Sequence, residues 1–202
     1  LKHWIALYHT PGVGAVSFQQ LLEAFPNLQE LPRTDPEALL KLGLSRKAIE
    51  ALQHPDATAI TRDLEWQDKP GTRILTCQDP DYPALLLQLQ SPPPLLYIHG
   101  QCNILREPLL AMVGSRNPSS AGIRTATDFA RHLSAAGLII SSGLALGIDA
   151  ACHRGALDAG MPTVAVMGTG LDRVYPARHR DLARQIAEQG VLVSEFPIGT
   201  EP

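Results

Sequence analysis

Between residues 108 and 189 the chain repeats one unit three times. Each unit is a short apolar run, a loop rich in glycine and hydroxyl residues, and a helix-like stretch. The units are "PLLAMVGSR" before a helix over 120–136, "GLIISSG" before one over 147–159, and "PTVAVMGTG" before one over 178–189. "GVLVSEF" adds a last strand, and "RILT" and "PPLLYIHG" read as short strands upstream. Continuous apolar strands alternating with helices predict a parallel sheet buried on both faces. The expected class is therefore α/β, with a Rossmann-like parallel sheet. The "SPPP" at 91–94 reads as a rigid loop inside this domain.

Residues 1–70 have a different pattern. Apolar residues recur at helical spacing on both sides of "TPGVG", and "DPEALLKLG", "LSRKAIEALQ" and "DATAITRDLEWQDK" follow. Ser45 and Asp56 stand where N-caps belong. Four or five short helices in a small bundle are expected. Pro70-Gly71 is the expected boundary, with a helical domain over 1–70 and the sheet domain over 71–202.

Composition narrows the function. Net charge is −3, so the chain has no overall basic signature for nucleic acid. The distribution is uneven. All nine basic residues between 106 and 184 are arginine, whereas every lysine of the chain precedes residue 70. Arginine suits bidentate phosphate contact and stacking on bases, although a solvated surface also carries such charge. Three cysteines without CxxC spacing imply a reducing, cytoplasmic setting, and no apolar run approaches the roughly 18 residues of a membrane span.

In a parallel sheet the three loops share the carboxyl edge, where open α/β folds bind ligands. The loops are Gly114-Ser115-Arg116, Ser141 to Gly147, and Gly168-Thr169-Gly170. Glycine lets backbone N–H groups approach a ligand, and helix N-termini favour anions. Arg116 adds a permanent charge. A phosphate clamp is expected from the N–H groups of Gly114, Ser115, Gly143 and Gly170 with the Arg116 guanidinium. Tyr175 is either a stacking surface or a core aromatic ahead of Pro176. Asp149 is expected to cap the helix that begins at Gly147, with support of a loop as the alternative.

Other motifs carry less. No Walker A run is present, "GTG" lacks the third glycine of a dinucleotide fingerprint, and "HGQC" (99–102) lacks a second half for zinc. Ser115 and Ser142 have no His–Asp relay in the sequence, and Cys152-His153 reads as a structural pair. The Gly12-Val13-Gly14 hairpin resembles helix-hairpin-helix DNA binders, but no Arg or Lys follows before Arg33, so a purely structural turn is the favoured reading.

"VGSRNPSSAG" (113–122), "SGLALGIDAACHRGAL" (142–157), "GTGLDRVYP" (168–176) and "SEFPIGTEP" (194–202), with "HTPGVG" near the start, resemble the DNA-processing protein A (DprA/Smf) family along essentially the whole chain. That resemblance implies a single-stranded DNA-binding recombination mediator of natural transformation. It implies loading of the recombinase RecA, interplay with single-strand-binding protein, homodimerisation through the Rossmann-like domain, no catalysis and no cofactor. It also implies a sterile-alpha-motif-like N-terminal domain and a C-terminal continuation beyond "GTEP". The implied phosphate-binding set is Gly114, Ser115, Arg116, Asn117, Ser142, Gly143, Leu144, Gly147, Gly168, Thr169, Gly170, Tyr175 and Arg178. Many relatives carry Lys directly after the Tyr-Pro. Ala177 stands there in this chain, and Arg178 is expected to supply the charge. The alternative is an enzyme similar to nucleoside-monophosphate phosphoribohydrolases, whose "PGGxGTxxE" motif is absent here.

Overall fold

The computed structural model describes residues 1–202. Five α-helices come first: α1 (Lys2–Tyr8), α2 (Ala15–Ala24), α3 (Pro36–Lys41), α4 (Arg46–Gln53) and α5 (Ala57–Gln67). Local chemistry sets their starts. Ser45 Oγ accepts the Ala48 N–H, and Asp56 accepts the N–H groups of Thr58 and Ala59. Asp35 stands before α3 without a side-chain cap bond, and Pro36 begins that helix. Phe18, Leu21, Leu31, Leu39, Ile49 and Leu52 form the core of this bundle.

The remainder is one six-stranded sheet: β1 (Thr72–Thr76), β2 (Leu95–Gly100), β3 (Leu109–Ala111), β4 (Ile139–Ser142), β5 (Thr163–Met167) and β6 (Val191–Ser194). The strand order is β1-β2-β6-β5-β4-β3. Strands β3 to β6 are parallel, joined through α6 (Ser120–Ala135), α7 (Ile148–Asp158) and α8 (Arg180–Gln189). The expected helix over 178–189 thus starts later, after a 3-10 turn at Ala177–His179. β1 and β2 extend the sheet in antiparallel fashion, so it is mixed and not wholly parallel.

The two faces are covered differently. One face carries Ile140, Ala165 and Met167 against α6, α7 and α8. Helices α6 and α7 approach closely because Gly155 has no Cβ; one there would strike the Thr127 carbonyl. The opposite face packs Leu96, Ile98, Val164 and Val193 against Tyr82, Ile104 and Leu105. That cover is incomplete. Leu109, Val113 and Val166 are exposed, although their apolar runs predict burial on both sides.

The helical and sheet parts share a core. Ile5, Ile60 and Trp66 belong to the same apolar cluster as Leu95, Tyr97 and Ala165. A polar knot lies beside it. Asp63 is fully buried on α5, and its Oδ2 receives the Tyr97 hydroxyl at 2.5 Å and lies 2.8 Å from His9 Nε2. Burial and the Asp63 charge push the Tyr97 phenol far above its ordinary range.

Candidate nucleic-acid interface

The carboxyl ends of β3, β4 and β5 lead into the three glycine-bearing loops, and the parallel order brings them to one edge. A cavity of about 320 Å³ opens there. Its walls are Arg116 from the first loop, Gly143, Ala145 and Leu146 from the second, and Gly168 and Thr169 from the third. Tyr175, Pro176 and Pro202 complete it.

In the first loop, Ser115 Oγ accepts the Asn117 N–H at 3.1 Å, which tightens the turn. The Ser115 carbonyl accepts the Ile148 N–H at 3.1 Å and ties this loop to the start of α7. The N–H groups of Gly114 and Ser115 have no protein acceptor. Arg116, Asn117 and Arg178 are exposed. Neither Arg116 nor Arg178 takes part in any ion pair of the chain. Arg178 sits on the 3-10 turn just past Pro176, outside the cavity wall.

The second loop departs from expectation. Asp149 does not cap α7. Its Oδ2 accepts the N–H groups of Gly143 (3.2 Å) and Ala145 (3.3 Å), so the carboxylate shapes the loop from within. Gly143 thus has no free donor for a phosphate. The Ser142 hydroxyl donates to the Met112 carbonyl at 2.6 Å and is likewise engaged. Leu144 adopts φ +60°, the one non-glycine residue in the left-handed region, with its side chain fully buried. Any contact it makes to a ligand comes from its backbone. Its carbonyl accepts a hydrogen bond from His179 Nδ1 at 2.9 Å, a buried link between the second loop and the turn bearing Arg178. Gly147 has φ +83°, and a Cβ there would collide with the Ser115 carbonyl and lie 2.6 Å from Pro118 Cδ.

In the third loop the Gly170 N–H donates to the Thr200 carbonyl at 3.1 Å and also leaves the expected clamp. Gly168 and Thr169 retain free N–H groups. The Thr169 hydroxyl is buried and has no hydrogen-bond partner. A buried hydroxyl without a partner costs about 1–3 kcal/mol, a penalty that a ligand oxygen would relieve. Tyr175 is 60% exposed, so it is a surface ring on the cavity and not a core aromatic.

The structure thus moves the available donors to Gly114, Ser115, Gly168 and Thr169. For Asp149 the structure selects the alternative to capping, support of the loop. His179 was not legible as a support, and no sequence signal pointed to it. Under the site, Thr163 Oγ1 donates to the Ile140 carbonyl, so His153 Nδ1 is the donor in its 2.8 Å bond to that oxygen. His153 Nε2 is left buried and bare, and burial lowers this imidazole to about 3, with His179 adding to the effect. The N-terminal hairpin borders a separate cavity of about 330 Å³ whose walls include Tyr8, Gly14, Pro93, Pro94 and Glu195. A carboxylate there, with no basic residue in the wall, does not suit a phosphate.

Comparison with known proteins gives the family of the chain. Residues 73–202 match the family model for DNA recombination-mediator protein A. The chain is 37% identical to Protein Smf of Synechocystis over 99% of its own length and 52% of that protein. It is 38% identical to DNA processing protein DprA of Streptococcus pneumoniae over 68% of its length and 48% of that relative. It thus spans about half the length of these curated relatives. The crystal structure of the Streptococcus pneumoniae protein superposes with a TM-score of 0.83 at 27% identity, covering 100% of this chain and 70% of that one. DNA processing protein A of Helicobacter pylori, described for its single-stranded DNA binding mode, superposes with a TM-score of 0.56 at 28% identity over 65% of this chain and 58% of that one. The chain therefore belongs to the DNA recombination-mediator protein A family, also known as DprA or Smf.

Proposed function

We propose that this chain binds single-stranded DNA by its phosphates in the three-loop cavity. The observation that carries the reading is the convergence of unused donors on one cavity. The free N–H groups of the wall residues Gly168 and Thr169 share it with the unpaired guanidinium of Arg116, and the Thr169 hydroxyl is buried and unpartnered in the same wall residue. Gly114 and Ser115 add two free N–H groups beside Arg116. Exposed Tyr175 offers a face for a base, and stacking on an aromatic ring tolerates any sequence. Phosphate contact therefore dominates and base preference is weak.

As a member of this family, the whole protein acts as a cytoplasmic, homodimeric recombination mediator. It loads RecA onto single-stranded DNA coated by single-strand-binding protein. Its role is binding and not chemistry on nucleotides. The Asp149 carboxylate holds loop N–H groups, and His153 and His179 are buried with their Nδ1 atoms engaged inside the fold. No cavity residue pairs a general base with a nucleophile. Incubation with nucleoside monophosphates should release no free base.

Arg116→Ala tests the site. Oligonucleotide affinity should fall to a similar extent for every base composition, and the log–log salt slope should lessen by about 0.7 for one lost phosphate contact. Arg116→Lys should restore only part, because a point charge replaces a planar fork. Unchanged affinity and slope in folded Arg116→Ala would remove the assignment.

A further inference from the structure

A larger cavity, about 620 Å³, lies on the helix-covered face of the sheet, between α8 and the corner where α5 gives way to β1. His99 and Leu192, paired across β2 and β6, form part of its floor. Arg180 and Arg184 stand on its α8 wall, and Leu171 to Val174 form its upper rim. None of these residues belongs to the three-loop cavity. The segment from Gly168 to Pro176 nevertheless walls both, with Gly168, Thr169, Tyr175 and Pro176 facing one and Leu171 to Val174 the other.

We propose that this groove is a second single-stranded DNA site, which receives the strand as it leaves the three-loop cavity across that shared segment. The proposal rests on the reading of the first cavity. Charge favours a phosphodiester. Arg180 has no carboxylate partner, and Arg184 has only exposed Asp181 at 3.6 Å. The Arg173 guanidinium is paired with Glu201 at 3.2 Å, and only its buried Nε–H lacks an acceptor, so Arg180 and Arg184 supply the available charge. Asp172 on the same rim is offset by Arg173 at 3.5 Å and by the Gly199 N–H at 2.9 Å. Glu188, the other acid in the wall, stands four residues past Arg184 in the last turn of α8, so the positive end of the groove is the Arg180 end, next to the shared segment. Residues four apart share a helix face, so Arg180 and Arg184 present adjacent charges to consecutive phosphates. The floor suits the base. Burial lowers the half-buried His99 imidazole, which leaves a neutral flat ring beside Leu192. Such rings and apolar surfaces accept any base.

The test compares oligothymidylates of about 4 and about 16 nucleotides, lengths that fill one cavity or more. Fluorescence anisotropy on the full chain and on an Arg180→Ala/Arg184→Ala variant reads both. Both arginines are on the surface of α8, and Arg180 opposes the helix dipole, so the variant should fold. The long oligonucleotide should bind the variant more weakly, with a salt slope lower by about 1.4 for two phosphates, while the short one is unaffected. A charge-matched Arg33→Ala/Arg46→Ala variant should leave both unchanged. Equal loss for both lengths would place the arginines in the first site and overturn the second. Unaltered binding of the long oligonucleotide, or equal loss in the charge-matched control, would overturn it as well. Failure of the unsubstituted chain to bind either length would instead overturn the first-cavity reading on which this one rests.

Discussion

The Gly143 N–H donates to the Asp149 carboxylate, 3.2 Å away and six residues on, and the same oxygen takes the Ala145 N–H. One buried acid therefore holds the second loop in the shape that walls the cavity. Asp149→Ala should free both N–H groups inside the protein and cost about 1–3 kcal/mol of stability. It should also lower oligonucleotide affinity as the loop loosens. Urea titration and anisotropy on one preparation check both; normal affinity in the destabilised variant would separate the loop from binding.

Glycines of the site divide by what a Cβ would meet. At Gly168 it would have nothing within 4 Å, so Gly168→Ala should leave the melting temperature nearly unchanged while its methyl crowds the ligand. At Gly147, positive φ and the Ser115 carbonyl make alanine costly, by about 1–3 kcal/mol from backbone strain alone. Paired melting and binding curves should show Gly168→Ala as a binding defect and Gly147→Ala as a folding defect. A large melting loss in Gly168→Ala would contradict the open space seen there.

His153 predicts acid sensitivity. Its native value of about 3 lies below the ordinary 6.5, so the unfolded chain takes up the proton first. The stability it contributes is complete above about pH 6.5 and is lost as pH falls toward 3, by up to about 1.4 kcal/mol per pH unit. His153→Gln should lose less stability than the parent between about pH 7 and about pH 5, read from urea midpoints. Equal losses would assign the acid transition to other groups.

A fragment beginning at Thr72 would lack α1 and α5, and with them Ile5, Ile60 and Trp66. Leu95 and Tyr97 would be uncovered, at about 1.5–3 kcal/mol for each large side chain exposed. We expect it to aggregate or melt far below the full chain, although the three-loop cavity takes all its walls from residues after 72. Any monodisperse fraction should keep most of the affinity of the full chain at matched salt. A soluble fragment of undiminished stability would show that the shared core contributes little.

The strands and helices of the sheet part were legible because each is a local pattern. An apolar run of β length, a glycine-bearing turn and an amphipathic stretch need no distant partner to declare themselves. Ser45 and Asp56 were legible as caps for the same reason, since a cap bonds N–H groups two or three residues away. The convergence of three loops on one edge followed from parallel order alone, and with it the placing of Arg116, Gly168 and Thr169. Tertiary structure alone decided which donors remain free. Gly143 lost its N–H to Asp149 and Gly170 lost its N–H to Thr200, because a backbone donor bonds whatever acceptor the fold brings within reach. The antiparallel β1–β2 edge, the Asp63–Tyr97 contact and the His179–Leu144 link arise the same way. Each joins residues 19 or more apart, and hydrogen bonds across such separations leave no periodicity in the chain that makes them.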